Sequence, residues 1–122
     1  MEEIYGIRFF NATPHPITFW DEAWDGTIVV QPDVIINAAV QEVSDSWPIT
    51  GIEYVRMSFT ATCEGDGIVN SAMAAGVDII VGSIIAAQAY PGQVVAMVPC
   101  KGFERVPPAE KRMRWNKFTI FG

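Results

Sequence analysis

The stretch Val77-Asp78-Ile79-Ile80-Val81-Gly82-Ser83-Ile84-Ile85-Ala86-Ala87-Gln88-Ala89-Tyr90-Pro91-Gly92-Gln93-Val94-Val95-Ala96-Met97-Val98 decides the fold. Residues 77–81 are apolar and β-branched apart from Asp78, the pattern of a strand buried on both faces. Gly82-Ser83 makes a bend whose hydroxyl suits a helix N-cap. Residues 84–90 read as a short helix that Pro91-Gly92 stops. Residues 94–98 are a second buried strand. The twelve residues 82–93 are just enough for a parallel crossover around a two-turn helix. In the alternative the strands run antiparallel and the helix covers the sheet edge.

Upstream, residues 6–10 form a short apolar stretch that Asn11-Ala12-Thr13-Pro14-His15-Pro16 interrupts, the prolines fixing an extended path and removing donors. Residues 17–20 read as a strand, Asp25-Gly26 as a hairpin turn and residues 27–30 as the returning strand. Residues 34–43 also read as a strand, followed by a loop carrying Trp47. Over residues 52–62 the alternation is plain: Ile52, Tyr54, Arg56, Ser58 and Thr60 share one face, and Val55, Met57, Phe59 and Ala61 the other. Glu64-Gly65-Asp66-Gly67 reads as a tight turn, residues 68–69 as strand and residues 71–75 as one helical turn. Downstream, residues 103–106 suggest a short edge strand, Pro107-Pro108 a break, and residues 117–121 a terminal strand. These readings give an α+β fold: a small, mixed, mostly antiparallel sheet or partly open barrel of five to seven strands with one short helix. Residues 1–108 are expected to be a single β-rich domain and residues 109–122 a basic C-terminal arm.

The 122 residues are half apolar, enough for a sizeable single core and incompatible with a disordered or disulfide-dense chain. The net charge of −6 is unevenly distributed. Residues 1–100 hold twelve acids against Arg8 and Arg56, whereas residues 101–122 hold six bases and two acids. A body that acidic repels a phosphate backbone, so nucleic acid is not an expected partner. The basic tail suits contact with an acidic protein surface, its own or a partner's. The start, Met1-Glu2-Glu3, lacks the basic region of a secretory signal, and the apolar run at residues 77–90 is too short and polar to span a bilayer. A cytoplasmic protein with no membrane contact is expected, with Cys63 and Cys100 as buried or half-buried free thiols.

No phosphate loop, dinucleotide fingerprint or nucleophile elbow occurs in the sequence. No catalytic residue, metal site or cofactor is assigned. His15, the single histidine, has two readings: its ring pins the N-terminal strand through a backbone hydrogen bond, or it contacts a ligand with Thr13. Gly82-Ser83 is either a helix cap or an anion site for a small phosphorylated ligand. Glu64, Asp66 and Asp78 are either solvated turn residues or part of a cation site. Trp24 and Trp47, with Lys111, Arg112, Arg114 and Trp115 of the tail, are the candidate partner-binding residues, because amphipathic aromatics and basic groups concentrate at interfaces.

Asn11-Ala12-Thr13-Pro14-His15-Pro16-Ile17 resembles the opening of a family of small uncharacterised phage and prophage-encoded bacterial proteins, with Ala12 in place of their usual leucine. Residues 80–89, leading into an alanine-rich helix, and Pro99 resemble later features of that family; the tail is unmatched. The resemblance implies a mobile-element context and no catalytic roles. Together these observations lead to a non-enzymatic, phage-type accessory protein that binds a protein partner or itself and counteracts a host defence. Two alternatives stand beside it: a structural virion protein stapled by its C-terminal arm, and a binder of a small phosphorylated metabolite or nucleotide.

Overall fold

The computed structural model describes residues 1–21, 23, 26–45 and 51–122. The elements run β1 (Glu2–Ile4), β2 (Ile7–Asn11), β3 (Ile17–Asp21), β4 (Gly26–Val30), β5 (Ala39–Asp45), β6 (Tyr54–Thr60), α1 (Cys63–Ala74), β7 (Ile79–Gly82), α2 (Ile84–Ala89), β8 (Val94–Pro99), a 3₁₀ turn (Pro108–Glu110) and β9 (Met113–Thr119). Seven strands make one sheet in the order β1-β2-β7-β8-β9-β3-β4, and β5 with β6 forms a separate ribbon. Four of the seven pairings among the described residues are antiparallel. The sheet curls until β1 and β4 face each other across an open seam, where a cavity of about 390 Å³ is lined by Glu3, Ile4, Tyr5, Gly26, Thr27 and Ile28. The fold is thus α+β, a small mixed sheet nearly closed into a barrel.

β7 and β8 pair in parallel, so residues 82–93 are a true crossover. Its strands alternate between two cores. Val81, Val95 and Met97 point into the barrel with Phe9, Phe19 and Phe118, while Ile80, Val94 and Ala96 point outward beneath α1 and α2. Burial on both faces is why this segment reads as an unbroken apolar run. Ser83 caps α2 by accepting from the Ala86 N–H at 3.1 Å. Gly82 has no room for a side chain, since a Cβ there would lie 2.6 Å from Val94 Cγ1.

Several sequence expectations are corrected. The described residues hold two α-helices, not one. The segment read as a Glu64-Gly65-Asp66-Gly67 turn is the first turn of α1, started by the Thr62 hydroxyl, which accepts from the Gly65 N–H at 2.9 Å. Glu64 and Asp66 sit where the helix dipole favours carboxylates. The glycine serves a close approach instead of a turn: the Tyr90 hydroxyl bonds both the N–H and the carbonyl of Thr62, and a Cβ on Gly65 would lie 1.9 Å from that oxygen. Residues 34–38 are irregular, tied to the end of β2 by Asp33 N–H to Asn11 O and Ile36 N–H to Ala12 O, so the strand begins only at Ala39. Residues 103–106 are turn and irregular backbone, not an edge strand.

The largest correction concerns the tail. Residues 113–119 are no arm: β9 lies inside the sheet between β8 and β3. On a helix Met113 and Trp115 cannot share a face, but a strand's two-residue period puts both toward the barrel core, where Phe118 joins them. Between the Met97–Phe118 and Pro99–Met113 pairs, two steps on β8 oppose five on β9. That bulge turns Phe118 back inward after the odd spacing from Trp115. β1 also escaped the sequence reading. It pairs with β2 through a two-residue turn at Tyr5 (φ 52°) and Gly6 (φ 78°), the mirror-image geometry that suits tight hairpins.

Candidate binding sites

The Asn11-Thr13-His15 motif forms a closed polar knot. Asn11 is fully buried, and its amide nitrogen donates to the carbonyls of His15 (2.8 Å) and Val30 (3.0 Å). Its amide oxygen accepts from the Thr13 N–H at 2.9 Å. The Thr13 hydroxyl lies 2.7 Å from that oxygen and 2.9 Å from the His15 carbonyl, with one proton to give to either. Asp33 closes the other side by accepting from the Asn11 N–H. The knot joins the end of β2 to the start of β3 and the end of β4. It corrects the first reading of His15: the backbone carbonyl does the pinning, and the ring is exposed.

Thr13 and Ser83 follow neighbouring parallel strands, since Asn11 pairs with Val81 and the Ala12 N–H donates to the Val81 carbonyl. The hydroxyls of both are engaged in local hydrogen bonds, and Gly82 is packed beneath Val94. Among the described residues no cluster of His, Cys, Asp or Glu is arranged for a metal ion. Asp78 instead accepts from the Arg8 N–H. Neither cysteine is in a disulfide; Cys100 is buried, whereas Cys63, at the first position of α1, is exposed, contrary to expectation.

Trp24 and Trp47 lie outside the described residues. The other tail candidates gather around the β3–β9 junction. Arg112 stacks over the rings of Trp20 (5.8 Å) and Phe103 (5.2 Å), and Arg114 donates to Asn116 at 3.1 Å. The Trp115 indole N–H donates to Asp21, and its ring lies 5.1 Å from that of Tyr5. Lys111 lines a shallow cavity with Phe103 and Arg112. Beside this cluster a second cavity, of about 270 Å³, is walled by Trp20, Asp21, Cys100, Lys101, Arg114 and Asn116. Sequence reasoning missed Trp20, Asp21 and Lys101 as site residues. The one signal pointing to them was the concentration of positive charge after residue 100.

The carboxyl of Asp21 is held below its ordinary value, first by the Ala23 N–H, next by the Trp115 indole and last by nearby Arg114, against partial desolvation. A depressed folded-state value gives a stabilisation that is present at neutral pH and lost as pH falls through the carboxylate range. Asp21→Asn should therefore melt below wild type at neutral pH, and the gap should narrow below about pH 4. Thermal melts of the two proteins across pH check this; a gap independent of pH would contradict the assignment.

The ribbon of β5 and β6 is the other unassigned feature. One face carries Val40, Phe59, Met57 and Val55, of which only Phe59 packs against the helix-side core. Val40, Met57 and Val55 are exposed, as is Val43 on the opposite face. No protein-family model, curated protein or solved structure matches this chain. Among the described residues no helix is long and apolar enough to cross a membrane.

Proposed function

We propose that this chain is a phage-type accessory protein that works by binding protein, with a second copy of itself as partner and the β5–β6 ribbon as the contact. The ribbon carries the reading. A two-stranded hairpin is marginal in water without further strands or a packed face. Among the described residues the two seven-residue strands pair in a sheet only with each other, and β6 meets the body chiefly at α2. A stable interface takes about 20–30 residues from each side. The fourteen ribbon residues supply about half of these, and the exposed Ile84 and Ile85 extend the surface on α2. A two-fold axis lets the outer edge of β5 meet its own copy, which turns two ribbons into a four-stranded sheet with its apolar face shared. The mobile-element context, and with it a role against a host defence, is supported by the resemblance at residues 11–17.

Because each copy carries a charge of −6, the association should strengthen with added salt, as apolar contact between like-charged bodies does. Sedimentation at graded protein and salt concentrations should show a dimer. Val40→Asp and Met57→Asp, both at exposed positions, should give a folded monomer. A wild type that stays monomeric at high concentration and high salt, or a dimer that both variants keep, would overturn the reading.

A further inference from the structure

We propose that the cavity walled by Trp20, Asp21, Cys100, Lys101, Arg114 and Asn116 binds a small sugar phosphate. Its volume of about 270 Å³ lies just under the range of about 300–1,000 Å³ found for small-molecule pockets, which sets the ligand at the small end. Charge sets the class. Six of the eight Lys and Arg side chains fall between residues 101 and 117 of an otherwise acidic chain, and two of them, Lys101 and Arg114, line this cavity. Among the described residues the one salt bridge joins the Met1 amine to Asp33, so neither cation is neutralised by a described carboxylate in direct contact.

The remaining walls choose between a bare anion and a phosphate carried on a polyol. Arg114 uses one nitrogen on Asn116, leaving donors of its planar fork for phosphate oxygens, with the Lys101 ammonium as a second charge. Asp21 is a carboxylate committed through one oxygen to the Ala23 N–H and through the other to Trp115, each oxygen keeping a lone pair. It repels a free anion that fills the cavity but accepts from a sugar hydroxyl. Trp20, packed against Arg112 and Phe103, supplies a rigid apolar wall for the carbon face of a sugar. Cys100 fixes that wall by donating its thiol to the Trp20 carbonyl at 3.5 Å. The site is separate from Gly82-Ser83 and independent of the ribbon.

Titration calorimetry of the full chain with ribose 5-phosphate and with glucose 6-phosphate tests the site, beside inorganic phosphate and ribose alone. At least one sugar phosphate should bind, with each fragment weaker by about tenfold or more. Lys101→Ala and Arg114→Ala should each weaken binding by about tenfold, the loss of one charge-assisted contact. Arg105→Ala and Lys117→Ala, cations of the same stretch outside the cavity, should change it by less than about twofold. If Arg114→Ala melts below the assay temperature, Lys101→Ala decides, because Lys101 is an exposed turn residue. Absence of binding by both sugar phosphates at about 1 mM would overturn the proposal. So would equal losses at all four cations, or inorganic phosphate binding as tightly as its sugar esters.

Discussion

A chain ending at Pro108 is expected to lose its cooperative fold. The cut removes β9, which bonds β8 on one side and β3 on the other, so both neighbours become raw edges inside what was a continuous sheet. It also takes Met113, Trp115 and Phe118 from the barrel core. Truncating a large core side chain costs about 2–5 kcal/mol. Met113, Trp115 and Phe118 are half-buried. Three losses at the low end of that range already match the lower bound of the stability of about 5–15 kcal/mol that a domain of this size has. Circular dichroism melts of residues 1–108 should show no sharp transition, and amide spectra should collapse. A truncated protein that melts cooperatively near the wild-type temperature would show that β9 is dispensable and restore the arm.

Asn11→Ala is expected to be the most damaging single substitution in the polar knot. It takes the Asn11 donors from the Val30 and His15 carbonyls and the acceptor from the Thr13 N–H, beside a small cavity. At about 1–3 kcal/mol for each buried polar group left unpaired, the loss should be about 3–5 kcal/mol. That lowers the melting temperature by roughly 10–20 °C. His15→Ala should stay within about 0.5 kcal/mol of wild type, because the carbonyl survives the change and the ring is exposed. Chemical denaturation of the pair separates the roles. Equal losses at both positions would return the structural task to the imidazole.

The Asn11-Thr13-His15 motif ties strand ends together, and its residue types explain why. An asparagine side chain carries two donors and an acceptor in one plane, which suits a point where three strand ends must be satisfied at once. Pro14 and Pro16 remove two donors that the knot would otherwise have to accommodate. Nothing local distinguishes such a knot from a ligand site, since the same groups serve both. What distinguishes them is burial, and burial belongs to the folded chain. Ser83 is simpler: a hydroxyl before an apolar helical stretch is a cap on local grounds, and it is one.

The helix α1 and the cavity at Trp20 were hidden for different reasons. Gly65 and Gly67 lower helix propensity, so the local signal favoured a turn. The deciding contact is Tyr90 against Thr62 and Gly65, with Thr62 28 residues away along the chain. The cavity draws its walls from β3, the end of β8 and β9, which the sequence holds some eighty residues apart and the sheet sets side by side.

By itself the sequence determined what depends on neighbours along the chain: the parallel crossover's two strands and capped helix, the hairpin of β3 and β4, the alternation of β6, and the separation of acidic body from basic end. Period and turn chemistry act over a few residues and are legible there. Strand order, the passage of the basic segment through the middle of the sheet and the open seam were decided by the tertiary structure alone. Residues 109–117 read as a charged stretch, apart from the strand at 117–121, because Arg114, Asn116 and Lys117 separate the apolar side chains and a bulge breaks their period. Only against the inward faces of β3 and β8 do Met113, Trp115 and Phe118 have something to bury, and that burial makes the segment a strand.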